Sequence, residues 1–91
     1  MMDETAFRAE LALQGYADPV EIVRDANCAT TEHTHEYSVS ALIIDGEISV
    51  ITANGTTTCR SGDTFTLASG VPHYERYGAQ GARILTGKRI P

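Results

Sequence analysis

From Val20 onward the chain is written in short pieces rich in β-branched and aromatic residues: VEIVRDA, SVSALII, EISVITA, TTTCR, DTFTLA, PHYERY and ARILTGK. Turn residues separate them, with DG at 45–46, NG at 54–55, SGD at 61–63, SGVP at 69–72 and GAQG at 78–81. No other feature limits the fold as strongly. About seven short strands punctuated at this spacing predict an antiparallel sandwich or barrel. Asn54-Gly55 predicts a hairpin between EISVITA and TTTCR, because a type I′ turn needs positive φ at both central residues.

Only residues 3 to 14, DETAFRAELALQ, carry a helical pattern. Phe7 and Leu11 lie four apart, and Ala6, Ala9 and Leu13 widen the apolar side. Asp3 and Glu4 suit the positive end of the helix dipole, and Gly15 suits a C-terminal cap. A helix of about ten residues is marginal in isolation, so it must dock on the β-structure. The expected organisation is a helical segment over 1–16 and one β domain over 17–91. With 91 residues the chain has room for one domain and a thin core.

Twelve acidic residues face seven basic ones, and no basic cluster occurs. Binding to nucleic acid through phosphate neutralisation is therefore not expected, nor is attraction to an anionic membrane. MMDETAFRAE has neither the basic nor the apolar region of a secretory signal. No apolar run approaches the roughly 20 residues of a spanning helix. Two cysteines, Cys28 and Cys59, are too few for a disulfide framework. The expectation is a cytoplasmic protein with both thiols reduced. Cys59, on a predicted strand, should be buried and inert, and Cys28 should lie in a loop.

The chain has three histidines, and two stand in TTEHTHEYS, residues 30 to 38. In an extended segment, positions i and i+2 share a face. His33 and His35 then project together, with Cβ atoms roughly 6.5 Å apart. Thr34 and Glu36 face away. Continued alternation puts Tyr37, Val39, Ala41 and Ile43 on the histidine face. The alternative is a pair of solvated loop imidazoles. His73 follows Gly70-Val71-Pro72 and opens a new strand, so a barrel could bring all three histidines together. Glu75 stands two residues beyond His73 and shares its facing. It is a candidate ligand or base, or else a surface acid paired with Arg76 or Arg60. Tyr37 and Tyr77 share parity with the nearby histidines and would either offer a hydroxyl or line the barrel. Phe65, Leu67, Ile43, Ile48, Val50 and Ile84 are core candidates. No triad-hydrolase or nucleotide-binding pattern occurs.

At this point the residues resemble the cupin superfamily, the RmlC-like jelly rolls. Its first motif runs G-x5-H-x-H-x(3,4)-E-x6-G, and its second G-x5-P-x-G-x2-H-x3-N. His33, His35 and Gly46 in HTHEYSVSALIIDGE stand at the first spacing. Gly62, Gly70 and His73 in GDTFTLASGVPH stand at the second. The two motifs cover residues 33 to 77. The short N-terminal helix and the C-terminal GARILTGKR are similar to those of small single-domain bacterial cupins. The departures are specific. The Glu of the first motif falls on Val39 or Ser40, the Pro of the second on Ala68, and its Asn on Tyr77.

The resemblance implies an all-β fold, a cupin jelly-roll β-barrel with a short N-terminal α-helix. It implies a divalent transition metal (Fe, Zn, Ni, Mn or Cu) held by His33, His35 and His73. Three-His sites occur in cupins, and with zinc in unrelated enzymes. Glu75 would replace the missing carboxylate as fourth ligand, or act as the catalytic proton acceptor. The implied chemistry is that of a metal-dependent oxygenase or isomerase acting on a small molecule. The alternative is a non-catalytic, ligand-binding or sensory cupin. Exposed sheet edges and family habit imply a homodimer.

Overall fold

The computed structural model describes residues 2–91. One helix, α1 (Glu4–Leu13), precedes five strands: β1 (Val20–Arg24), β2 (Ser38–Thr52), β3 (Gly55–Arg60), β4 (Thr64–Leu67) and β5 (Tyr74–Arg89). All pairings are antiparallel, in the order β1-β5-β2-β3, with β4 also on β2. Asn54-Gly55 joins β2 to β3, as expected.

Seven expected strands become five because two of the expected turns are not turns. Asp45-Gly46 lies inside β2, and Gly78–Gly81 lies inside β5. The two strands pair over almost their whole lengths, and the register shifts between Ile43 and Asp45 and again between Gly46 and Ile48. Gly46 and Gly81 have φ of 81° and 68°. The backbones cross so closely that a Cβ on Gly46 would run into the Gly81 carbonyl oxygen. The glycines therefore serve a paired bend, where a bulge lets both strands continue in a new direction. The bulge also switches facing. Val39, Ala41 and Ile43 point to one core before it, and Ile48 and Val50 point to the same core after it.

That core, which also holds Cys59, Tyr77, Ala82 and Ile84, fills the barrel. Phe65 and Leu67 are only half-buried at its edge. A second cluster lies on the outer side of the β2–β5 pair, where Phe7 and Leu11 of α1 pack on Leu42 and Leu85. Asp3 caps the helix, its carboxylate accepting from the Ala6 N–H at 2.8 Å. The apolar side of α1 is narrower than its sequence suggests. Ala6 and Ala9 are exposed, and Leu13 is 83% exposed. Only the Phe7–Leu11 stripe of α1 is buried against the sheet.

Candidate metal centre

Residues 27 to 35 lie outside the named strands, with His33 in an isolated bridge. They run antiparallel to the start of β5 through irregular hydrogen bonds. The N–H of Asn27 donates to Gly78 O and that of Tyr77 to Cys28 O. The Thr30 N–H donates to Glu75 O, and the Gly70 N–H to His35 O. His33 and His73 form an isolated bridge, each N–H donating to the other's carbonyl at 2.9 and 3.0 Å. Thr30 holds Glu75 twice, because its Oγ1 also accepts from the Glu75 N–H at 3.0 Å.

This hydrogen-bond network brings the three imidazoles together. Ring centroids are 4.9 Å apart for His33–His35, 4.4 Å for His33–His73 and 5.1 Å for His35–His73. One ligand atom from each lies within 4.8 Å of the others, and the group could hold a metal ion. His33 Nδ1 lies 2.8 Å from Thr31 O, and His73 Nδ1 lies 2.9 Å from Val71 O. A carbonyl can only accept, so both Nδ1 atoms carry the proton. In the neutral imidazole each Nε2 then has a free lone pair. This is how metal-binding histidines are ordinarily oriented, with the second nitrogen spent on an outer partner. Two imidazoles with Nε2 left bare, and a third within reach, make a donor set of the kind that suits a divalent transition ion.

Glu75 Oε2 stands 3.7 Å from His33 Nε2 and 3.9 Å from His73 Nε2. Both are too long for hydrogen bonds. Its Oε1 accepts from the Tyr77 hydroxyl at 3.2 Å. The side chain is 17% exposed. Arg60, one suggested surface partner, pairs with Glu47 instead at 2.8 Å. Glu36 is exposed and faces away, as the alternation predicts. Val39, where the motif's Glu would fall, is part of the apolar pocket wall.

His35 stacks on Tyr37 at 4.8 Å with 19° between the rings, and the Lys88 ammonium lies 4.7 Å over the Tyr37 ring. Burial, with His73 and His33 beside it, holds the His35 imidazole below its ordinary pKa. Glu75 pulls the other way, and Lys88 adds to the lowering. Burial first, and the Glu75 charge second, push the Tyr77 phenol up to about 12, while the Arg24 guanidinium beside it opposes the rise.

The cluster opens into a cavity of about 210 Å³, walled by Val39, Ile48, Phe65, Leu67 and Ile84. Arg24 and Lys88 reach it too, and the motifs gave no hint of either. Their signal was the alternation itself. Ile84, Thr86 and Lys88 share one face of β5, as Ile22 and Arg24 share one face of β1. Cys28 is exposed and Cys59 buried. Among the described residues no helix is long and apolar enough to cross a membrane.

No family model and no curated protein matches the chain. Solved structures do resemble it. An RmlC-like cupin from Shewanella frigidimarina superimposes with a TM-score of 0.69 at 20% identity, over 80% of this chain and 65% of its own. The chain thus spans less than two thirds of that protein. The cupin domain of an XRE-family transcriptional regulator from Enterobacter cloacae superimposes at 0.67 and 16% identity, over 78% of both chains. A Rhizobium leguminosarum protein of unknown function matches over 100% of this chain and 98% of its own, with a TM-score of 0.71 and 17% identity. With one short helix, five antiparallel strands and these likenesses, the chain has the cupin fold.

Proposed function

We propose that this chain is a small metal-binding cupin acting on a small molecule in its barrel pocket. His33, His35 and His73 hold a divalent transition ion, and Glu75 is fourth ligand or proton acceptor. The observation that most supports this is the pair of Nδ1–carbonyl bonds at 2.8 and 2.9 Å, which leave both Nε2 lone pairs for an ion. The donor set suits Fe, Zn, Ni, Mn or Cu.

Such an ion, when bound, supplies Lewis acidity at its open positions. The chain's own residues do the rest. Tyr77 occupies Oε1 of Glu75, so Oε2, facing the histidines, is the oxygen free to take a proton from a ligand. The apolar wall limits water around that oxygen. A proton acceptor beside a Lewis-acid site serves oxygenase and isomerase chemistry alike.

Elemental analysis of the purified protein, beside the His33→Ala/His35→Ala variant, tests the reading. Stoichiometric metal in the wild type and its loss in the variant are expected. Metal absent from both after supplementation defeats the proposal. Glu75→Gln then separates the roles. A fourth ligand predicts weakened ion affinity, a proton acceptor predicts intact affinity with lost turnover, and a surface acid predicts neither.

The likeness to a regulator's cupin domain favours a second reading, a non-catalytic sensory module. It predicts that a bound small molecule is recovered chemically unchanged. For either reading we expect a homodimer formed along β1. This strand is a sheet edge and carries Val20 and Val23 at 65% and 63% exposure. Light scattering on a sizing column measures it.

A further inference from the structure

Three hydrogen-bond acceptors converge at the head of the cavity with no donor between them. His33 and His73 turn Nδ1–H to carbonyls, so each Nε2 can only accept. Glu75 Oε2 faces both, at 3.7 and 3.9 Å, and a carboxylate oxygen also accepts. The Tyr77 hydroxyl is spent on the other oxygen, Oε1. His73 is 2% exposed, so its Nε2 has little access to water. Among the described residues no lysine or arginine pairs with Glu75, while Glu4, Glu21 and Glu47 each have an arginine partner. The two cations on the cavity wall are exposed and engaged elsewhere. Arg24 donates to the Val23 carbonyl, and Lys88 lies over the Tyr37 ring. The cavity that the acceptors face is walled chiefly by apolar side chains, among them Val39, Ile48, Phe65, Leu67 and Ile84.

We infer that this cluster binds the head of a small primary alkylammonium, whose three N–H bonds donate to His33 Nε2, His73 Nε2 and Glu75 Oε2. A primary ammonium carries three donors and no acceptor, so it matches the site in number and in sign. One ring nitrogen from each histidine lies within 4.8 Å of the others. Acceptors no farther apart than this can all stand roughly 2.8 Å from one nitrogen, the usual length of a charge-assisted hydrogen bond. The alkyl chain would lie along the apolar wall. A formal charge of −5 on the chain favours the approach of a cation. This rests on the cavity being a ligand site, as the proposed function has it, and needs no bound ion. Ion and ammonium use the same lone pairs, so each excludes the other.

Calorimetry tests this on protein treated with a chelator and on protein supplied with Zn²⁺. At about pH 8 a primary alkylamine stays charged, like a lysine side chain of pKa about 10.4. n-Butylammonium should bind the chelated protein. 1-Butanol lacks the charge and butyltrimethylammonium lacks the N–H donors, so each should bind about tenfold or more weakly. Shortening butyl to ethyl should weaken binding about fourfold per methylene. Glu75→Gln should weaken n-butylammonium about tenfold or more. Glu36→Gln removes the same charge from an exposed position outside the cavity and should change nothing. Circular dichroism shows whether both variants are folded, and the three-ligand comparison needs only the wild type. No n-butylammonium binding, equal binding of butanol or the trimethyl compound, or unchanged affinity in folded Glu75→Gln overturns the inference. So does undiminished n-butylammonium binding by protein shown to hold Zn²⁺. Metal uptake without amine binding leaves the proposed metal centre standing and sinks the ammonium site. Selective amine binding without metal uptake does the reverse.

Discussion

His33 and His73 are tied to each other by both of their backbone groups, at 2.9 and 3.0 Å, and each ring returns its Nδ1 to the carbonyl two residues earlier. The same local geometry occurs on two chain segments, and the bridge sets them face to face. Directly opposed residues of an antiparallel pair project to one side, so the ring contact follows from the backbone.

The first prediction concerns tautomers. In metal-free protein, above the range where imidazoles are protonated, long-range ¹H–¹⁵N spectra should show Nδ1–H at both His33 and His73. An Nε2–H tautomer at either would contradict the orientation argued above.

Tyr77 gives an alkaline signature. Its phenol is raised from the ordinary 10.0 to about 12, chiefly by burial. The folded state therefore holds this proton more tightly than the unfolded chain. Its contribution is intact below pH 10 and is lost as pH rises toward about 12, by about 2–3 kcal/mol in all. Urea unfolding across this range should show the loss in wild type and a smaller one in Tyr77→Phe.

The glycines of the paired bend can be ranked. Gly46→Ala should cost more than about 3 kcal/mol, because it combines left-handed strain with backbone overlap at Gly81. Gly70 has a similar φ of 81° but open space around it, so Gly70→Ala should cost about 1–2 kcal/mol from strain alone. Chemical denaturation midpoints decide the order, and equal costs would refute the close crossing.

The two thiols should behave differently. Cys28 is exposed, whereas Cys59 is 3% exposed and its thiol is pushed up by burial, then by Asp63. Thiolate is the reactive form. A disulfide reagent should titrate one thiol in native protein and two in denaturant. Two fast thiols in the native state would contradict the packing of Cys59.

Much of the centre was legible because it depends on local spacing. His33, His35, His73 and Glu75 stand two apart in pairs, and such pairs share a face even where the backbone is irregular. Gly46 was legible as a landmark but not as a bend. Asp-Gly fits a two-residue turn equally well, and only the approach of Gly81 from another strand turns the site into a crossing. Lys88, Arg24 and the Tyr37–His35 stack depend on which strands become neighbours, which no short stretch encodes. Leu13 misled because apolar spacing records which residues could be covered, not how wide the covering surface is.

The pairing of β2 with β5 runs from Ser38–Arg89 to Ile51–Tyr74. The hairpin to β3 can close early, through a short turn. The β2–β5 pair cannot, because the loop entropy of everything between must be lost before its contacts form. His33 lies just before β2 and His73 just before β5, so a partly folded chain keeps the two halves of the cluster apart. If all three imidazoles hold an ion, as proposed, its capture requires completed folding, and the metal stoichiometry of a preparation would count its fully assembled molecules.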